Sequence, residues 1–210
     1  ASSDRIMISN LVGSSEAGVY NLAYQVSQVM GIFNTALLQT LTPWIYRKLR
    51  DGEIDELSRV AYPSFAFIGA ANMVLITLAP EAVAIFAPAE YYDAIWVIPP
   101  VALSVYLTYS YTFFASFEFY FEKTRLVSAA TMAGAIFNVV LNIILLPRCG
   151  YIAAGYTTLA CYIIFTVMHY TFMCGISREH FGRLPYNGSI LLKPTCTMSR
   201  ASITLSAMKS

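Results

Sequence analysis

A row of amide and hydroxyl side chains follows one face of an apolar segment near the start of the chain. Its members recur at spacings of 4, 3, 7 and 4 residues: Asn21, Gln25, Gln28, Thr35 and Gln39. At roughly 100° per residue, a helix places all of them within about 40° of one line, and Tyr24 flanks that line. Unpartnered amides are costly against lipid, so we expect this face to meet protein or a water-filled cavity. Hydrogen bonding between helices is the alternative explanation.

A second, shorter polar group lies within "GAIFNVVLNIILLP", residues 134–147. Asn138 and Asn142 are about one helical turn apart, and Thr131 falls within about 20° of the same line. An asparagine both donates and accepts hydrogen bonds, so it can bind sugar hydroxyls without carrying a charge. For this group we favour an interhelical clamp over a binding site, and both hypotheses stay open.

Ionisable residues are scarce in the apolar segments, and each one is therefore a candidate functional residue. Arg5 can match phosphate oxygens through its guanidinium group, or it can pair with Asp4 at the membrane interface. We interpret Glu118 and Lys123 as part of a solvated ion-pair group at a helix end. His169 is expected to be a packed, hydrogen-bonded side chain, and no carboxylate is expected deep within a membrane span.

The sequence contains no pattern of residues typical of a catalytic site. The nucleophile elbow, the zinc-protease helix, the phosphate-binding loop and the dinucleotide-binding glycine pattern are all absent from it. We therefore expect no enzymatic activity, no cofactor and no metal. The cysteines lack paired spacing and are expected to behave as small apolar residues; they are Cys149, Cys161, Cys174 and Cys196.

The elements that position these residues must be membrane helices. Hydrophobic residues make up 57% of the chain and charged residues only 12%, and the mean hydropathy is +0.58. Soluble domains carry about a quarter charged residues, so this chain lacks the polar surface of a water-soluble protein. A net charge of +1 argues against nucleic acid as a partner.

Apolar runs of about 20 residues, the length needed to cross a bilayer, predict the helices. We expect five full transmembrane helices, at 18–44, 60–80, 96–117, 126–147 and 151–176. The segment "DRIMISNLVG" ahead of them looks like the end of a truncated helix. The prediction is an all-α integral membrane protein, a multi-helix transporter bundle over residues 1–180. Residues 181–210 are expected to form a poorly ordered cytoplasmic tail.

Lysine and arginine alternate between the connecting segments and predict the orientation in the membrane. They are frequent in residues 46–59, in "FEKTR" at 121–125 and after 177, and they are absent from 81–95. Cytoplasmic loops carry the excess of such residues, so these three basic segments are placed on the cytoplasmic side.

Several stretches together resemble the Wzx-type polysaccharide and oligosaccharide-lipid flippases of the multidrug/oligosaccharidyl-lipid/polysaccharide exporter superfamily. The likeness rests on "SDRIMISNLVGSSEAGVYNLAYQV", "PEAVAIFAPAEYYDAIWVIPPVAL" and "EKTRLVSAATMAGAIFNVVLNIILLPRCGYIAAG". It implies that the chain is the C-terminal half of a longer bacterial inner-membrane transporter, whose N-terminal half is missing. Such a protein would move a polyprenyl-pyrophosphate-linked oligosaccharide (an O-antigen, capsule or exopolysaccharide unit) between leaflets by alternating access.

The resemblance also implies roles for particular residues. Arg5 would be the basic residue near the pyrophosphate, and the polar row on the first full helix would line the cavity. Two other functions stay open. A cation-coupled exporter of drugs or small molecules would need a carboxylate buried in a span. A membrane-embedded glycosyltransferase or polymerase would need a large outer loop, and the predicted outer loops are short.

Overall fold

The computed structural model describes residues 2–185 of the 210-residue chain, and this part is helical throughout. The α-helices are α1 (Ser2–Leu11), α2 (Ser14–Arg50), α3 (Ile54–Phe86), α4 (Ile98–Tyr120), α5 (Thr124–Cys149) and α6 (Ile152–Phe181), and a short 3-10 helix covers Ala89–Trp96. Each predicted apolar segment forms a helix, and α2 and α3 extend well past the predicted spans. The predicted tail, from residue 186 onward, lies outside the described residues, and so does Cys196.

The prediction of five full transmembrane helices is wrong, because fewer helices are both long enough and apolar enough to cross a membrane. Among the described residues, three helices are long and apolar enough to cross a membrane: α3, α5 and α6. The 3-10 helix and α4 add a fourth if they form one span bent by 53°. Although α2 has 37 residues, it is not among the candidates, because its amide and hydroxyl residues lower its hydropathy.

Helix α4 lies at the centre of the bundle, in contact with α2, α3, α5 and α6. Two apolar clusters hold the helices together. The first includes Tyr20 and Ile98, and the second includes Ile45 and Phe113, nearer the ends of α2 and α4. Between the two clusters, the helices are joined by polar contacts, which position the candidate site.

Ion pairs join the basic connections at one end of the bundle. Lys123, before α5, pairs with Glu179 near the end of α6. Arg183 lies 2.9 Å from Asp55 on α3, and Ser58 donates a hydrogen bond to the carbonyl of Pro185. These contacts confirm that the three basic segments share one end, while its cytoplasmic location stays a prediction. At the same end, a hydrogen bond to Glu53 raises the pKa of the Lys48 ammonium group.

Candidate functional site

The predicted polar row on α2 faces open space between the helices. Tyr24, Gln28, Thr35 and Gln39 line a cavity of about 680 Å³ that is closed on its far side by Thr108 and Thr112 of α4 and by Tyr162 of α6. Gln25 joins the same residues on the adjoining outer face of α2. The structure therefore brings this row to a cavity, as one of the two sequence hypotheses expects.

The row is not used to clamp helices together. Gln25, Thr35 and Gln39 are exposed, and the Thr35 hydroxyl donates to the carbonyl of Gly31 within α2 at 2.8 Å. Within the described residues, neither Gln25 nor Gln39 is hydrogen-bonded to another helix. Their amides are thus available to a polar molecule or to water.

Arg5 extends the polar row beyond the start of α2. Its guanidinium carbon lies 5.1 Å from the centre of the Tyr24 ring, a favourable position for a cation over an aromatic face. Arg5 and Asn21 also line a groove of about 490 Å³ between α1 and α2. Asp4, which the sequence offers as a partner for Arg5, accepts a hydrogen bond from the Asn142 amide of α5 at 2.9 Å.

Asn138 and Asn142 do not reach the α2 cavity. The Asn142 amide nitrogen donates to Asp4 at 2.9 Å and to the Asn138 side-chain oxygen at 3.2 Å. The Asn142 oxygen accepts a hydrogen bond from the Thr157 hydroxyl at 2.5 Å. Asn142 is fully buried and links α1, α5 and α6, which is the geometry of an interhelical clamp. A separate cavity of about 190 Å³ adjoins this network, lined by Asp4, Asn138, Thr158 and Cys161.

Two carboxylates are buried inside the bundle, both near helix ends, and the expectation that none lies deep within a membrane span stays a prediction. Asp4 is 1% exposed and Glu118 is fully buried. Glu118 is also not part of a solvated ion-pair group, because its Oε1 lies 2.6 Å from Nδ1 of His169. The expectation that His169 is packed and hydrogen-bonded is confirmed. Sequence spacing missed this contact because Glu118 and His169 belong to different helices.

Two further buried amides were missed by the sequence analysis. Asn34 donates to the backbone carbonyl of Val105 at 2.7 Å, and Asn72 donates to that of Ala102 at 3.0 Å. Asn34 also lines the cavity, but it lies off the line of the polar row, so no repeated spacing distinguishes it. Asn34 attaches α2 to α4 across the cavity, and Asn72 attaches α3 to α4.

Comparisons with known proteins support the membrane assignment and leave the family undetermined. No protein-family model and no solved structure matches the chain. A protein of Haemophilus influenzae described as an uncharacterized membrane protein is 25% identical over 127 residues. The match covers 60% of this chain and 31% of that protein, so the chain spans less than a third of that relative's length. Together with the candidate spans, this similarity identifies the chain as a multi-pass membrane protein.

Proposed function

We propose that the chain is part of a bacterial inner-membrane transporter that moves a polyprenyl-pyrophosphate-linked oligosaccharide between the leaflets. The main support for this proposal is the cavity between α2 and α4, which is lined by amide, hydroxyl and tyrosine side chains. Neutral groups of this kind suit sugar hydroxyls, because they offer donors and acceptors without a charge. Translocation makes and breaks no covalent bond, so the protein is proposed to be a transporter and not an enzyme.

The position of Arg5 supports a pyrophosphate-linked substrate. Its guanidinium lies over Tyr24, and Arg5 is half-buried along the groove between α1 and α2. A planar guanidinium matches phosphate oxygens through paired hydrogen bonds, which an ammonium group cannot do. The pyrophosphate would therefore sit beside Arg5 and Asn21, with the sugar extending along the polar row toward Gln39.

The apolar exterior of the bundle supports a lipid-linked substrate and a further partner. Large apolar side chains beside the polar row are exposed, among them Ile32 at 73% and Phe33 at 56%. In a bilayer these side chains contact lipid tails or the N-terminal half of the same transporter, which is proposed to close the cavity. Alternating access would then result from rocking of one half against the other.

The experiment that tests this function is replacement of Gln25 and Gln28 by leucine in the full-length protein. Loss of two hydrogen-bonding amides, at about 0.6–2 kcal/mol each, is expected to reduce surface polysaccharide at least about tenfold at normal protein level. Surface polysaccharide is measured in a strain that depends on the variant gene. Export equal to that of the natural protein would count against the cavity as a path.

Two threonines of α2 provide a matched control. Both are exposed and both donate to the carbonyl four residues earlier, Thr35 to Gly31 and Thr40 to Ala36. Thr35 lines the cavity, whereas Thr40 lies outside it. We expect Thr35→Val to impair export and Thr40→Val to leave it unchanged. Equal effects would indicate a general helix defect.

A cation-coupled exporter of small molecules remains a second candidate function, and one observation favours it. That function requires a carboxylate buried within the bundle, and Asp4 is buried beside the small cavity of α1, α5 and α6. The two candidates differ in substrate. Drug resistance conferred by the full-length protein, with no change in surface polysaccharide on gene deletion, would support the exporter.

A further inference from the structure

The contact between α4 and α6 contains an acid and a base that lie outside the proposed substrate cavity. Glu118 is fully buried and His169 is 2% exposed, and Oε1 and Nδ1 are 2.6 Å apart. The second carboxyl oxygen, Oε2, is buried without a hydrogen-bond partner among the described residues. Placing an ionised carboxylate in such surroundings is costly, so the arrangement needs a function or a compensating charge.

Three aromatic rings pack against the imidazole of His169. Tyr111 stacks on His169 with ring centres 5.4 Å apart, and Phe165 lies nearly parallel to the imidazole at 6.4 Å. Phe172 contacts it edge-on at 6.3 Å. Of these three rings only that of Tyr111 can titrate, and the surroundings therefore supply no counter-charge to Glu118.

Among the described residues, His169 is the basic group in contact with Glu118. Five cations at the same end of the bundle contact other carboxylates: Lys48–Glu53, Arg50–Asp51, Arg59–Glu56, Lys123–Glu179 and Arg183–Asp55. Arg47, Arg125 and Arg178 also lie at this end, and none of them is in ion-pair contact with Glu118. The other titratable groups at this end are Tyr46, Tyr62, Tyr120, Glu122, Tyr170, Cys174 and His180.

Counting protons shows what this pair can do. A neutral imidazole with its proton on Nδ1 donates to Oε1 of ionised Glu118, and the pair then carries one negative charge. One added proton on Oε2 neutralises the pair and leaves the Nδ1–Oε1 hydrogen bond intact. The proton comes from water and returns to water, and no other bond changes.

We propose that Glu118 and His169 form a proton-binding site at the contact between α4 and α6, which takes up and releases one proton. The site lies close to the basic end of the bundle, because the Glu118 carbonyl accepts a hydrogen bond from the Lys123 backbone at 2.8 Å. Proton exchange is therefore assigned to the end that carries the Lys123–Glu179 ion pair.

The test is pH-difference infrared spectroscopy of the full-length protein in lipid vesicles. We expect acidification to produce the carbonyl stretch of a protonated carboxyl group, and we expect Glu118→Gln to remove that band. Glutamine has nearly the same shape as protonated glutamic acid and can still accept from Nδ1, so the variant should fold. Thermal unfolding in detergent checks this. His169→Gln is expected to shift the band, because the hydrogen-bond partner changes while the carboxyl group remains.

Two other carboxyl groups serve as controls for the infrared band. Glu122 is an exposed carboxylate four residues after Glu118, and Glu122→Gln is expected to leave the band unchanged. Asp4→Asn is expected to leave the Glu118 band in place and to remove only the infrared signal of the Asp4 carboxyl group, which is hydrogen-bonded to Asn142. A spectrum that Glu118→Gln does not alter would overturn the proton site, whatever the export measurements show.

Export measurements separate the proton site from the proposed function. The infrared band reports on the pair itself, and Glu118→Gln is expected to remove it whether or not the protein exports polysaccharide. If replacement of Gln25 and Gln28 leaves polysaccharide export intact while Glu118→Gln removes the band, the proposed function fails and the proton site stands.

Discussion

At the scale of single residues, buried polar side chains of this protein divide into clamps and a protonatable pair. Asn34, Asn72 and Asn142 each donate to a neighbouring helix and are at most 3% exposed. In lipid such hydrogen bonds contribute about 0.6–2 kcal/mol each, so they hold helices together without dominating stability. Glu118 and His169 differ from them because they place an acid and a base in direct contact.

The Asn142 clamp gives a prediction of stability at this scale. Asn142→Leu removes hydrogen bonds to α1 and α6 and leaves Asp4 buried with one donor fewer. We expect the free energy of unfolding to fall by about 1–3 kcal/mol, measured by equilibrium unfolding of the full-length protein in mixed detergent micelles.

Asn138→Leu is the matched control for Asn142→Leu. Asn138 lies one turn away on the same face but is only half-buried, and its oxygen accepts one hydrogen bond from Asn142. Its replacement should cost less than about 1 kcal/mol. Equal losses for the two variants would contradict the assignment of Asn142 as the residue that joins three helices.

At the scale of elements, the contact between α5 and α6 depends on a close approach at Gly134. A Cβ atom added there would lie 2.3 Å from the Phe165 ring, and this ring packs beside His169. The sequence presents Gly134 as one of several small residues in membrane helices, which serve either packing or bending. The distance indicates packing, because the helix continues without a break through this position.

Gly134→Ala is therefore expected to be destabilising, although alanine is the better helix former. The extra methyl group forces the Phe165 ring to move, and overpacking of this kind costs about 1–3 kcal/mol. A fall in the unfolding midpoint in detergent is the expected result. Gly175→Ala in α6 is the control, since no atom lies within 4 Å of its added Cβ. This variant should match or slightly exceed the natural protein in stability.

At the scale of the whole molecule, the bundle has two chemically different ends. Three basic segments meet through the Lys123–Glu179 and Arg183–Asp55 pairs. The opposite end contains the tight turn after Cys149, where Gly150 has φ 70° and ψ −170°, a conformation that glycine alone adopts readily. The excess of basic residues predicts that the first end faces the cytoplasm and that the turn faces outward.

Thiol labelling of intact cells tests this orientation. Cys149 is exposed beside the turn, so a membrane-impermeant maleimide added outside should label it once the outer membrane is permeabilised. Cys149→Ser should lose that label. In a protein whose four natural cysteines are replaced by serine, a cysteine placed by Asp51→Cys should react only after the inner membrane is opened, because Asp51 is exposed at the basic end. The reverse pattern of labelling would invert the predicted topology.

The helices and the polar face of α2 can be predicted from the sequence alone. Which polar residues are buried together depends on how the helices pack. Apolar length and helical period are local properties, so six helical segments and the row from Asn21 to Gln39 follow from spacing alone. Which helices become neighbours determines the burial of Glu118 and its contact with His169. It also determines the hydrogen bond from Asn142 to Asp4. That choice is made by packing of whole faces around α4, so single residues such as Glu118 near a helix end cannot reveal it.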